Sequence, residues 1–368
     1  MAANLSLNKY FRKKRIFKIA IILIIGLSAF RIYLPTIVLH FVNRELNKIP
    51  GYKGHVDDIS LSLWRCAYQI KGLSLDKYTG EVPVPFFSAK KMDLSLEWKA
   101  LFHGFISGEI IFYNPKINFV NGPTESSSQT GIDKSWIQVV KALIPLHINR
   151  VDIKDGEIHY MDFYSVPKVD VFLSDIEASA TNLRNKVSKD SMLSSAIKVS
   201  ATCFQTGSLS IDMALDPLNP LPTFELKEKM NHASLASLSD FGQAYFKVNI
   251  NGGDFELYTE IAAKDGSFIG YTKPIFHDIK LNTNYKDNKT IWRWLVANST
   301  QLIANIFSNP SYNKQLATRI PIYGKFNKPQ SDKWAAVGSL LRNAFIEALT
   351  PSLDSTLHIS DVDKVTPN

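Results

Sequence analysis

The side chains able to do chemistry in this sequence are scattered rather than gathered. Eight histidines stand at positions 40, 55, 103, 147, 159, 232, 277 and 358. None falls in the His-Glu-x-x-His or Cys-x-x-Cys spacing that sets ligands around a zinc ion. Asp57 and Asp58 could share a proton as a catalytic pair, but adjacent residues of a strand point to opposite faces, so they read as solvated. Lys264, Asp265 and Gly266 make a polar triplet between two apolar arms. His159 lies in an alternating stretch and reads as a strand side chain rather than a ligand. No Gly-x-Ser-x-Gly elbow, Walker loop or Gly-x-Gly-x-x-Gly run occurs. No metal or cofactor is therefore expected, and an enzyme such as a glycan hydrolase ranks behind the non-enzymatic readings. Cys66 and Cys203 are the two cysteines. They could pair in an oxidising compartment or stay as buried thiols, since spacing alone does not bring two Cα atoms within disulfide reach.

The elements that would have to position any site come from the rest of the chain. Its 368 residues, 45% hydrophobic and 21% charged, are those of a folded protein. The net charge of +8 is concentrated at the start, where Lys9, Arg12, Lys13, Lys14, Arg15 and Lys18 occur without an acid. The remaining chain is nearly neutral, which argues against a nucleic-acid-binding face.

After the basic cluster comes "IFKIAIILIIGLSAFRIYLPTIVL", residues 16–39. As a helix it would be about 36 Å long, against a hydrocarbon core of about 30 Å. Lys18 and Arg31 bracket its most apolar part and would snorkel to opposite membrane boundaries. The positive-inside rule places residues 1–15 in the cytoplasm and the bulk of the chain across the membrane. A cleavable signal peptide ending near Leu27-Ser28-Ala29 is the rival reading. Leu27 fits a cleavage site poorly, and the apolar run resumes beyond Arg31.

Past residue 39 the apolar residues alternate. "LSIDMAL" sets Leu209, Ile211, Met213 and Leu215 on one face and Ser210, Asp212 and Ala214 on the other. "AIKVSATC" and "KVDVFL" repeat the period of two that marks a strand. In "VDIKDGEIHY" the Asp155-Gly156 pair predicts a two-residue hairpin turn, and Gly252-Gly253 reads as a turn leading into Phe255, Leu257, Thr259 and Ile261. "ELYTEIAAKDGSFIGYTKP" predicts a hairpin tipped by the Lys264 triplet, with Pro274 at a strand end. The whole predicts an antiparallel meander. Helical spacing predicts short helices around Trp136, Leu238, Trp292 and Trp334. "NGPTESSSQTGID" predicts a flexible loop. The expected segments are thus 1–15 basic, 16–39 anchor, 40–120 an N-terminal β-module, 121–133 loop, 134–350 the main β-module with helices, and 351–368 a loose tail.

Several stretches carry a family likeness. They are "YLPTIVLHFVNRELNKIPGYKGHVDDISLSLW" after the anchor, "VDIKDGEIHYMDF", the long segment from "LDPLNPLPTFELKEKM" to "IFHDIKL", and "LLRNAFIEALTPSLD". Together they resemble the uncharacterised branch of the AsmA-like bacterial envelope proteins, over nearly the whole folded chain. The resemblance implies a mainly β fold with short helices, in which a bacterial inner-membrane anchor precedes an elongated antiparallel sheet curved into a groove in the periplasm. It also implies a role in moving phospholipid and in outer-membrane integrity. The chain is short for that superfamily: about 16 strands at about 4.8 Å spacing would reach roughly 80 Å.

Carrying two acyl chains of about 15 methylenes each through water would cost on the order of 24 kcal/mol. A trough lined by Ile197, Val199, Leu209, Ile211, Met213, Leu215, Phe255, Leu257 and Ile261 would remove most of that cost without any catalytic residue. The same faces could instead close on helices as a dry core. Membrane lipid is the expected partner. The alternative is a scaffold that binds envelope proteins through sheet edges or the Trp334 helix.

Overall fold

The computed structural model describes residues 2–62, 67–96, 108–129, 148–183, 193–216, 219, 221–265, 267–283, 315–317 and 319–325. The helices expected around Trp136, Trp292 and Trp334, the tail 351–368 and Cys66 lie outside them.

The chain opens with one helix, α1, Ala2–Leu46, which contains Pro35. Among the described residues, no helix is long and apolar enough to cross a membrane; within α1, the side chains at 2–16, 19, 20, 24 and 27–29 fall outside the described set. Between residues 17 and 33 its described apolar side chains stand open: Phe17, Ile22, Ile25 and Ile32 are each more than 60% exposed.

Among the described residues fourteen strands follow and form a single sheet: β1 (Tyr52–His55), β2 (Asp58–Ser62), β3 (Ala67–Lys77), β4 (Phe87–Leu96), β5 (Gly108–Asn121), β6 (Ile148–Asp162), β7 (Val169–Thr181), β8 (Ser195–Cys203), β9 (Gly207–Leu215), β10 (Phe224–Ser234), β11 (Val248–Lys264), β12 (Ser267–Thr283), β13 (Gln315–Ala317) and β14 (Ile320–Lys325). From β3 to β12 each strand pairs with the next; β1 and β2 share one edge beside β3, and β13 and β14 share the other beside β12. The ends do not meet, so the sheet is open. The protein is thus mainly β, as the alternation predicts.

One pair departs from the antiparallel meander. β5 and β6 run parallel, Ile110 opposite Val151 and Phe119 opposite Tyr160. A parallel pair needs a crossover of a dozen or more residues, and residues 122–147 supply it. The sheet passes this crossover unbroken. Of the stretch expected as a flexible loop, residues 122–129 are tied down. Ser128 and Glu125 carbonyls both accept from Lys77 Nζ, Ser126 Oγ donates to Glu81 at 2.6 Å, and Gln129 is buried.

Two expected turns prove to be bulges. Asp155 and Gly156 lie inside β6, where the register with β7 shifts between Ile153 and Ile158. Asp155 takes φ 54°, and its neighbours across the sheet, Asn114 of β5 and Asp175 of β7, take φ 50° and 51°. Asn114 Nδ2 donates to the Asp155 carboxylate. Gly252 and Gly253 likewise lie inside β11, with register shifts on either side. Gly253 has φ 117°, and a Cβ there would sit 2.9 Å from the Ile279 Cα. His232 of β10 and Asp278 of β12 are left-handed beside it. Asn, Asp and Gly tolerate this conformation at modest cost, so a hairpin signal and a bulge signal read alike in sequence. Each bulge line bends the strands it crosses.

The hairpin at "ELYTEIAAKDGSFIGYTKP" does form, with Lys264 opposite Ser267. Asp265 accepts a hydrogen bond from Asn219 Nδ2 at 3.0 Å, which pins the turn there. Pro274 is not at a strand end. It lies within β12 opposite Leu257, where the outer partner changes from β14, which pairs as far as Thr272, to β13, which begins at Ile275. A residue without an N–H is tolerated at such a break in the outer ladder.

Between β10 and β11, a 3-10 turn Leu235–Leu238, an α turn Ser239–Phe241 and a π turn Gly242–Phe246 make one irregular helix. This is the helix expected around Leu238.

Candidate functional site

Because β-strand side chains alternate, register decides which residues share a face. Following the pairings from β2 to β9 gives one row, Leu61, Tyr68, Leu94, Ile110, Val151, Ala180, Ile197 and Met213. It continues through Leu226, Ile261 and Gly270 to Ile322 of β14. These twelve residues include no charged side chain; at 4.8 Å per strand the row is about 50 Å long. The neighbouring row on the same face runs Ile59, Ile70, Met92, Phe112, Ile153, Ala178, Val199 and Ile211.

All nine side chains named from sequence fall on this face. Ile197, Met213 and Ile261 stand in the first row, and Val199 and Ile211 in the second. Leu209 and Leu257 flank Met230 in the next, Leu215 meets Phe224, and Phe255 packs on Phe276 with ring centroids 4.9 Å apart. Leu209, Met213 and Leu215 are buried, and the other six half-buried. They divide into two clusters. One holds Ile176, Ala201, Cys203, Leu209, Met230 and Ala233 with Val199, Phe255 and Leu257 around them. The other holds Met213, Leu215, Phe224, Leu226 and Ala263 with Ile197, Ile261 and Phe268; Ile211 touches both.

Described helices cover other parts of the face. Val38, Leu39, Val42 and Leu46 of α1 pack on Ile59, Ile70, Met92, Leu94 and their neighbours. The α1 end is fixed there by Asn43, whose Nδ2 donates to the Val56 carbonyl at 3.1 Å and whose Oδ1 accepts from the Val56 N–H at 2.7 Å. Phe241, Ala244 and Tyr245 of the irregular helix pack on Phe119, Tyr160 and Val171 at the margin of β5 to β7. The apolar rows therefore begin under the end of α1. Lys18 and Arg31 stand in α1, far along the helix from that contact.

The opposite face is ionic. Lys198, Asp212, Lys227 and Glu260 line up across β8 to β11 in alternating charge. Asp57 lies 3.2 Å from His55, and Asp58 3.3 Å from Lys71, both pairs solvent-exposed. Among the described residues, no group of three or more His, Cys, Asp or Glu could hold a metal ion.

His159 is better held than alternation alone suggests. Its Nδ1 lies 2.8 Å from Asp170 and its Nε2 3.0 Å from Glu157, and the ring stacks on Phe172. Both nitrogens can donate only in the imidazolium form. Burial pulls the His159 pKa down, but the hydrogen bonds to Asp170 and Glu157 outweigh it, and the net shift is upward. A group raised in the folded state adds stability below its unfolded value, about 6.5, that is lost as pH rises through the folded value. Urea denaturation should therefore show His159→Gln costing more stability at pH 6 than at pH 9; a pH-independent difference would contradict the ion triad.

Cys203 is a free thiol with no exposure, and burial pushes its pKa up to about 11. The thiolate is the reactive form. Native protein should resist a thiol reagent at Cys203 and react only on unfolding, as mass mapping of the labelled peptide would reveal; labelling at the rate of an exposed thiol would refute this burial.

Sequence reasoning missed Glu228. It stands in the second apolar row, opposite Ile211 on one side and Thr259 on the other. Missed as well was Asp162, whose carboxylate accepts from Tyr245 Oη at 2.6 Å, Asn121 Nδ2 at 3.2 Å and the N–H groups of Tyr164 and Ser165 at 2.8 Å. The break of alternation by Glu228 in "FELKEKM" was readable in the sequence. The Asp162 network was not, because its partners are as much as 83 positions away.

Compared with known proteins, the chain matches no family model and no curated protein.

Proposed function

We propose that this is a membrane-anchored, AsmA-like envelope protein that handles phospholipid along the apolar face of its open sheet and supports outer-membrane integrity without catalysing a reaction. The observation that carries the reading is the apolar rows, which continue over twelve strands without a charge in one of them. An acyl chain needs a surface that replaces water along its length, and beyond the part packed under α1 the row continues through the half-buried Val151, Ala180, Ile197 and Ile261 and the buried Met213 and Leu226. The open apolar side chains of α1 and the basic residues before them favour α1 as an inner-membrane anchor, N-terminus in the cytoplasm and sheet in the periplasm. The packing of its end over β2 to β5 would place the start of the rows at the membrane surface.

The test is site-specific crosslinking in membranes. Photoreactive residues at Val151, Ile197 and Ile261 should capture acyl chains, and the same probe at Lys198 or Lys227 on the opposite face should not. Equal capture on both faces, or none at the three row positions, would refute the reading. An assembly-scaffold role is favoured by one feature, the open Ile269 and Tyr323, which face each other across β12 and β14 at 68% and 56% exposure. Loss of defined envelope partners in Ile269→Ser/Tyr323→Ser protein, with lipid capture unchanged, would support that role.

A further inference from the structure

On the apolar face of β8 to β12 one carboxylate stands among the described paired residues, that of Glu228. On β10 the residues sharing that face are Phe224, Leu226, Glu228 and Met230, while Glu225, Lys227 and Lys229 point the other way. Glu228 is hydrogen-bonded by the Thr259 hydroxyl, and Thr259 Oγ1 lies 3.1 Å from Thr272 Oγ1. Register places the three side by side across β10, β11 and β12. They form a polar strip, an acid followed by two hydroxyls, between Met230 and Leu257 on one side and Leu226 and Ile261 on the other. Burial raises the pKa of Glu228, and no nearby cation is among the influences that lower it.

A carboxylate on an apolar face without a counter-charge costs stability unless something compensates it. Thr259 offers a hydrogen bond but no charge. The complement of the strip is a molecule with a cationic group for the acid, oxygens to accept from the hydroxyls, and apolar chains for the clusters on either side. Resting on the lipid-handling reading above, we infer that Glu228, Thr259 and Thr272 form a head-group station that selects a zwitterionic amine-bearing lipid over an anionic one.

The full chain in detergent, incubated with vesicles of phosphatidylethanolamine and phosphatidylglycerol in equal amounts and then repurified, gives the bound-lipid ratio by mass spectrometry. The wild type should enrich the ethanolamine lipid several-fold. Glu228→Gln should abolish the enrichment without loss of total lipid, and Glu228→Lys should turn it toward the glycerol lipid. Glu225→Gln, on the opposite face, should leave the ratio unchanged. The thermal midpoint of Glu228→Gln should equal or exceed that of the wild type, since a half-buried carboxylate without a counter-charge has been removed. Equal ratios in wild type and Glu228→Gln, with lipid still bound, would overturn the head-group station and leave lipid handling standing. A wild type that takes up no lipid would overturn both. Displacement of bound lipid by soluble phosphoethanolamine alone would assign the strip to a free head group and overturn the selection of an amphiphile.

Discussion

Asp162→Ala is expected to lower the unfolding free energy by about 3 kcal/mol, the cost of removing a buried carboxylate that four donors share. Asp162 sits at the end of β6, 5% exposed, and joins three parts of the fold. It caps the turn after β6 through the N–H groups of Tyr164 and Ser165. It holds Asn121 at the end of β5 and the Tyr245 hydroxyl of the irregular helix. Alanine removes the carboxylate from all four donors, of which Asn121 Nδ2 keeps the Tyr245 hydroxyl at 3.5 Å. Burial pushes the Asp162 pKa up, yet the hydrogen bonds from Tyr245, Tyr164, Ser165 and Asn121 outweigh it and the net shift is downward. A carboxyl lowered in the folded state contributes stability above its unfolded value that disappears as pH falls through the folded value. Urea unfolding of the full chain in detergent at pH 7 and at pH 3 checks both statements. The gap between wild type and variant should be wide at pH 7 and narrower at pH 3. Tyr245→Phe, which removes one donor and leaves the other three, should cost about 1 kcal/mol. If Asp162→Ala unfolds with the wild type at pH 7, the network does not hold the helix to the sheet.

Ala180→Asp is expected to cut lipid occupancy beyond β7 by on the order of a hundredfold while sparing β6. Ala180 stands midway along the first apolar row, between Val151 and Ile197, and is half-buried. A carboxylate there remains within reach of water, so the fold should tolerate it. An acyl chain lying against it must strip that water, at a cost of about 3 kcal/mol. Position-resolved crosslinking reads the result: capture at Leu226 and Ile261 should collapse, and capture at Val151 should persist. Equal loss at all positions would mean that the variant disturbs the whole sheet, and equal retention that lipid does not travel along this row. Ala180→Ser separates the two, because a hydroxyl adds polarity without charge and should give an intermediate loss.

Alternation alone identified strands in the stretches that form β6 to β9, β11 and β12, and assigned Leu209, Ile211, Met213 and Leu215 to one face. The physical reason is local: a period of two follows from strand geometry whatever the partner. The hairpin at Lys264 to Ser267 was legible for the same reason, since a two-residue Asp-Gly turn between alternating arms has few other outcomes. The bulges were not. Asp155-Gly156 and Gly252-Gly253 supply left-handed backbone, and that conformation serves a turn or a bulge equally. The neighbouring strands choose, and β7 and β12 continue past the bulged residues.

Register, orientation and coverage belonged to the tertiary structure alone. The parallel β5 and β6 pair brings Ile110 beside Val151, and an antiparallel meander would have predicted a different neighbour. Without that pairing the two halves of the apolar row do not join. Glu228 shows the same division of labour. Its place in the alternation of "FELKEKM" put it among apolar residues from the start. Only the pairing of β10 with β9 and β11 set it opposite Ile211 and Thr259 rather than a lysine. By itself the sequence determined a basic start, an apolar run and strands with one greasy face. The pairing of strands distant in sequence decided that these faces add up to one surface, because cross-strand neighbours are set by register and register is a property of the whole sheet.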